Sequence, residues 1–207
     1  MASGIAKRPT AGPWTITKTG IVGDHQGDIE HHGGPEKAIH HYPREHYASW
    51  RTEHPEAAAF HNPPSFGENI SIVGLTEDDV CVGDVYRIGS VVMQISQGRQ
   101  PCWRINAHTG LADLAQHVRN TGRTGWYYRV LEAGVVQPGS QLRLDERPRP
   151  EWTLKRLMQA MFSRDTASDD LSQLANLPEL AERWRQTFHN RLLKGSIVKS
   201  ARFDELP

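Results

Sequence analysis

Cysteine is nearly absent: the 207-residue chain has two, Cys81 and Cys102. So few thiols exclude a cysteine-ligated iron–sulfur cluster and the disulfide framework of small secreted domains, and both are read as free. No apolar run approaches the roughly 20 residues of a membrane-spanning helix. The opening MASGIAKRPTAGPW has no apolar stretch of leader length. The expectation is a cytoplasmic protein without membrane contact. Net charge is lacking too, with 24 Lys and Arg against 24 Asp and Glu. No overall field therefore draws in a nucleic acid polymer, and a charged partner must be met locally. A glycine fingerprint for flavin or nicotinamide dinucleotides is also missing, so redox chemistry here would take its electrons from another protein.

Histidine, by contrast, is plentiful at 11, with several in the first third. WTITKT (14–19) and the stretch 69–97 carry short β-branched runs broken by Gly-Asp and Gly-Ser, the punctuation of hairpins. VCVGDVYRIGSVVMQISQ is read as three short strands turning at Gly83-Asp84 and Gly89-Ser90. The run 42–60 reads as helix, with Pro43 in its first turn and a kink or restart at Pro55. A second helix is expected over 110–122, where Leu111, Leu114, Ala115 and Val118 share a face, followed by strands through GWYYRVL and near SQLRL. These strands are too many for one flat sheet and argue for a closed or half-closed barrel.

DERPRPEW reads as a linker. Beyond it, Leu154, Leu157, Met158, Met161 and Phe162 repeat at helical spacing behind a capping Thr153. Leu171 and Leu174 mark a second short helix, and Leu180, Trp184, Phe188 and Leu192 a third running to Gly195. The division expected is a mainly β domain with inserted helices over 1–147, then a small three-helix bundle over 148–207. That bundle is marginal alone by size and is expected to dock on the barrel or a partner.

Three constellations could carry chemistry. In QISQGRQPCWRIN, Cys102 follows a proline and lies between Arg99 and Arg104. Adjacent cations favour the thiolate, the form that attacks or binds a soft metal. Pro101 takes the chain out of the sheet, which puts the thiol at a barrel rim; a small buried side chain is the competing reading. Cys81, inside VCVG, is expected to be packed in a strand. In GDHQGDIEHHGGPEKAIHHY, Gly33-Gly34 can form an anion-binding nest beside His32 and Lys37. Zinc on His31, His32, His40 and His41 lacks the cysteine or acid that would complete a structural pattern, so a polar loop over a pocket fits better. In PPSFGENISI, Glu68 offers a carboxylate and Asn69 an amide; an ordinary turn and strand start would look the same.

Taken in order, GDHQGDIEHHGGPEKAIHHYPREHY, FGENISIVGL, GDVYRIGSVVMQISQGRQPCWRIN and TGRTGWYYRVLEAGVVQPG resemble the MOSC domain family, in the branch that carries a three-helix domain after its β-barrel. The likeness runs from about Ser3 to about Gly195. It implies a MOSC-type β-barrel that binds the molybdenum cofactor, molybdenum held by molybdopterin, with Cys102 as sulfur ligand to the metal or persulfide carrier. It further implies an oxidoreductase that detoxifies N-hydroxylated bases such as 6-hydroxylaminopurine. The motif positions are Asp28, His32, Gly33, Gly34 and Lys37, then Gly67, Glu68 and Asn69, then Gln97, Arg99 and Pro101.

Lys37, Arg99, Arg123 and the Gly33-Gly34 nest are the candidates for the cofactor phosphate. His32 or His108 would give the proton. The expected partners are a small N-hydroxylated substrate and a flavoprotein reductase as electron donor, with the helical tail as its docking surface; a homodimer is left open. Two alternatives stay open, a sulfur carrier that uses a Cys102 persulfide and a non-catalytic anion-binding module. Two positions depart from the family. Gly98 stands where proline is usual, which should loosen the loop presenting the thiol. The chain also begins almost at SGIAKRP, before which a further strand is usual, so the expectation is either that this first strand is missing here or that a neighbouring segment closes the barrel.

Overall fold

The computed structural model describes residues 4–25, 33–61 and 63–203, with side chains as far as 194. Strands β1 (Trp14–Thr17), β2 (Gly20–Ile21) and β7 (Gly134–Val136) form one antiparallel sheet in the order β2-β1-β7. Strands β3 (Ile39–His41), β6 (Trp126–Glu132), β5 (Val91–Gly98), β4 (Val85–Ile88) and β8 (Leu142–Glu146) form a second, in that order. A single residue, Ala133, separates β6 from β7, so one bent strand serves both sheets and curls them into a barrel. Val135 adds a tie across that corner, donating its N–H to Ser90 Oγ at 2.9 Å.

β5 lies at the centre of the larger sheet. Seven of its eight residues are buried, because β4 and β6 flank it while the core and a helix cover its faces. An alternating pattern was never available to it, and the continuous run VVMQIS is the signature of a strand buried on both sides.

Helices α1 (Glu45–Glu53), α2 (Trp103–Thr109) and α3 (Leu114–Thr121) are inserted between strands. They enclose a cluster of Tyr42, Tyr47, Trp50, Phe60, Phe66 and Val118. Helices α4 (Leu154–Phe162), α5 (Ser168–Ala175) and α6 (Glu182–Phe203) follow the barrel. Thr153 caps α4 by accepting the Arg156 N–H at 3.2 Å, as its position suggested. Leu154, Leu157, Met158, Trp184 and Phe188 join Met93, Ile95 and Trp126 in one continuous core, so the three helices are seated on the barrel. None of the helices described is long and apolar enough to cross a membrane.

Several expectations need correction. VCV is not a strand: Cys81 makes one isolated bridge, to Thr153, and is buried with its thiol 3.7 Å from the Pro150 carbonyl. Burial and nearby Asp84 push that thiol upward in pKa. The helix expected over 42–60 begins three residues later, because residues 39–41 are strand, and a separate turn of 3-10 helix covers Ala58–His61 beyond Pro55. α2 was missed, since WRINAHT lacks an apolar stripe. The expected linker is structured at both ends: β8 runs to Glu146 and Trp152 is buried in the core. The last helix passes Gly195 and reaches Phe203.

Gly98 does not loosen a loop. It ends β5, pairs with Trp126, and is buried. A Cβ there would fall 2.0 Å from Met158 Sδ, so the missing side chain makes room for α4.

Candidate active site

The end of β5 hands the chain to the thiol. Arg99 prolongs the ladder by donating its N–H to the Gly125 carbonyl at 3.0 Å. Pro101 then breaks the pairing, and Cys102 stands in extended geometry (φ −127°, ψ 167°) at the head of α2, half-buried. Across from it lie β3, the turn over 65–69, and residues 4–7 of the N-terminal segment. Between them opens a cleft of about 650 Å³, mouth included, lined by Cys102, Arg99, Arg104, Lys7, Lys37, His40, Phe66, Gly67, Asn69 and Tyr127 among others.

The far wall is held by a relay of polar contacts. Asn69 Oδ1 accepts the His40 N–H at 3.0 Å, and Asn69 Nδ2 donates to Asp24 at 2.7 Å. Asp24 in turn pairs with Lys7 at 2.6 Å. Gly67 has φ +75°, and a side chain there would press on the Ile5 backbone at 3.2 Å, so glycine is required on both counts.

Arg99 dominates the electrostatics. It is 6% exposed, yet its Nη1 has no hydrogen-bond partner among the described residues. Such a charge is costly in isolation, and its position in a cleft with Lys7, Lys37 and Arg104 makes an anion the natural counterpart. His40 is 3% exposed, and burial together with the charges of Arg99 and Lys7 drives its pKa well below the usual histidine value, so the ring is neutral. Burial raises the Tyr127 hydroxyl, with Arg99 beside it acting in the opposite direction.

Of the residues picked out by sequence, Cys102, Arg99, Lys37, Gly67 and Asn69 meet in this cleft. Pro101 shapes the turn into it. Glu68 turns away: it is 3% exposed, accepts the Tyr47 hydroxyl and the Phe66 N–H, and closes the turn from behind. Burial raises its pKa. Gln97 lies buried in β5, its amide 3.4 Å from the Gly98 carbonyl. Arg123 is bound to Glu53 at 2.7 Å and sits 4.7 Å over Trp50, among the helices. His108 stands on α2 outside the cleft lining, and burial lowers its pKa. Gly33 and Gly34 lead into the 3-10 turn Pro35–Lys37, where Gly34 (φ +93°) accepts the Lys37 N–H at 3.0 Å. Asp28, His31 and His32 lie outside the described residues.

His40 and His41 are consecutive on β3 and face opposite ways, so they do not share a metal. His40 stands 4.8 Å from the Tyr127 ring, while His41 packs at 4.3 Å against Trp126 with Nδ1 3.1 Å from the Tyr128 hydroxyl. Sequence reading missed Lys7, Phe66 and Tyr127 and weighed His40 only as a metal ligand. The pairing of His40 with Tyr127 across β3 and β6 was the only available signal, and AIHHY is too short to reveal it.

Comparison with known proteins agrees with the fold. Residues 28–143 match the MOSC domain and residues 152–195 the YiiM-like, 3-alpha helix domain. Protein YiiM of Escherichia coli (strain K12) is 38% identical over 200 residues, covering 97% of this chain and 89% of that protein. A protein named reductase from Gibberella moniliformis is 32% identical over 179 residues, covering 86% of this chain but 32% of that longer protein. The crystal structure of YiiM from Escherichia coli superposes with a TM-score of 0.83 at 36% identity, over 92% of this chain and 90% of that one. YiiM from Geobacillus stearothermophilus gives 0.77 at 37% identity, over 91% and 89%. With its barrel, its cysteine cleft and its seated helical tail, this chain belongs to the MOSC domain family, in the YiiM-like branch that carries the three-helix domain.

Proposed function

We propose that the chain is an oxidoreductase that holds a molybdenum–molybdopterin cofactor in the Cys102 cleft and reduces N-hydroxylated compounds, N-hydroxylated purine bases among them. The observation that carries this reading is the buried guanidinium nitrogen of Arg99, without a partner among the described residues, in the same cleft as the Cys102 thiol. The residues fit the group: a thiol suits a soft or borderline metal, and a cation already desolvated suits a phosphate. The reductase from Gibberella moniliformis, similar over most of this chain, supports redox chemistry.

When bound, the cofactor would supply the two-electron chemistry that breaks an N–O bond. The protein's part is then to hold and to polarise. Cys102 offers the sulfur ligand, and Pro101 with the first turn of α2 fixes its approach. Arg99 takes the anionic end of the cofactor, with Lys37 and Lys7 adding charge nearby. His40, kept neutral by burial, lines the cleft and presents Nε2 as a hydrogen-bonding group to whatever binds there. A flavoprotein reductase is the proposed source of electrons.

The test is to purify the protein from cells that make molybdenum cofactor, measure molybdenum and pterin per chain, and assay an N-hydroxylated purine with a chemical reductant. Near-stoichiometric molybdenum and a loss of about 100-fold in turnover in Cys102→Ser are expected. Equal rates in the two proteins would count against the ligand role. A preparation free of metal and pterin but rich in labile sulfur would make the chain a persulfide carrier instead.

A further inference from the structure

Away from the cleft, the C-terminal end of α1 meets the middle of α3. Glu53, His54 and His117 each offer one donor atom there, and the three atoms lie within 4.8 Å of one another. His54 Nε2 is 3.3 Å from His117 Nδ1, and Glu53 Oε2 is 3.4 Å from His117 Nε2. Two nitrogens bound to zinc at about 2.05 Å and the tetrahedral angle lie about 3.3 Å apart. The rings are therefore already at ligand spacing.

We propose that Glu53, His54 and His117 form a binding site for one zinc-class transition-metal ion that clips α1 to α3. The neighbours support the donors in the way metal ligands are commonly supported. Arg123 holds Glu53 by Oε1 at 2.7 Å; Oε2 rests 3.4 Å from His117 Nε2, the ring nitrogen other than the one facing His54, so the carboxylate must turn to reach an ion held between the two imidazoles. Glu56 Oε1 lies 3.6 Å from His54 Nδ1, on the ring edge away from His117. A carboxylate there favours the proton on Nδ1 and leaves the Nε2 lone pair for a cation. Both rings also pack on Trp50, His117 edge-on at 5.1 Å and His54 stacked at 6.2 Å, so their orientation is set before an ion arrives. The set of two imidazoles and one carboxylate selects zinc, nickel or copper over magnesium and calcium, which prefer oxygen donors. The half-exposed position gives an ion direct entry from solvent and room for water in the remaining coordination position. This site stands independently of the cleft and its cofactor.

The experiment titrates tag-free full-length protein, stripped with chelator, with Zn²⁺ by calorimetry and with Co²⁺ by visible absorption. Wild type is expected to take up one equivalent of Zn²⁺ and to show the intense bands of four-coordinate Co²⁺, and Mg²⁺ is expected not to compete. His117→Asn should lose both signals, Glu56→Gln should bind about tenfold more weakly, and Cys102→Ser should bind as wild type does. Glu56 is exposed, so its variant keeps the test decisive if His117→Asn fails to fold. No uptake at one equivalent by wild type, or unchanged titration of the His54→Asn/His117→Asn protein, would overturn the proposal, as would loss of binding in Cys102→Ser.

Discussion

The Cys102 cleft and the aromatic cluster behind it share Phe66 and the turn over 65–69, yet they treat buried polar atoms in opposite ways. In the cluster each one named finds a partner. Trp50 Nε1 donates to the Tyr42 hydroxyl at 2.6 Å, which donates to the Arg123 carbonyl at 3.1 Å. The Tyr47 hydroxyl accepts from Ser65 N at 2.7 Å and donates to Glu68. In the cleft, Arg99 Nη1 and His40 Nε2 have none among the described residues. A satisfied network specifies one packing, whereas an unsatisfied buried charge is kept at a cost and marks where a ligand completes the structure. Glu68 and Arg99 both read as site residues in the sequence, and only this difference separates them.

Strand β3 buries two adjacent histidines, His40 facing the cleft and His41 facing the core, so acid has the largest expected effect. Burial lowers His41 to about 3 and His40 well below its ordinary value. Both therefore bind a proton less readily folded than unfolded. Their contribution is present above the unfolded value of about 6.5 and is lost as pH falls below it, His41 continuing to lose stability down to about pH 3. Urea unfolding at pH 7 and pH 5 should differ by about 2 kcal/mol for each histidine. His41→Gln should remove one of those contributions, and an unchanged pH dependence in that variant would contradict the assignment.

Arg99→Leu comes next. It should lower turnover and bound pterin by about 100-fold while leaving urea stability close to wild type, since a buried charge that is only partly partnered contributes little net to folding. A variant that unfolds while retaining cofactor would reverse the roles given to the two regions.

Gly98→Ala joins the cleft to the helical tail. The new methyl meets Met158, so a loss of about 1 to 3 kcal/mol is expected. Met158→Ala on the same background should recover part of it, and the cycle of the two variants measures the contact. Additive effects would show that α4 does not bear on the strand that presents the thiol.

The smallest effect should be that of Tyr47→Phe, about 1 to 2 kcal/mol of stability with turnover within about twofold of wild type. A larger loss of turnover than of stability would place the Glu68 network in catalysis.

The amino-acid sequence by itself determined the architecture and the thiol. Pro101 between Gly98 and Cys102, the apolar spacing of α4, and the glycine-marked hairpin at Gly89-Ser90 act locally, so they are legible one segment at a time. What only the tertiary structure decided is which polar residues face the cleft. His40 enters it and His41 does not because β3 pairs with β6 in one register; Glu68 leaves it because Tyr47, 21 residues away, captures its carboxylate. Gly98 is glycine because a methionine 60 positions further on occupies the space of its side chain. Pairing register and close packing are set by contacts between distant segments, and local sequence carries neither.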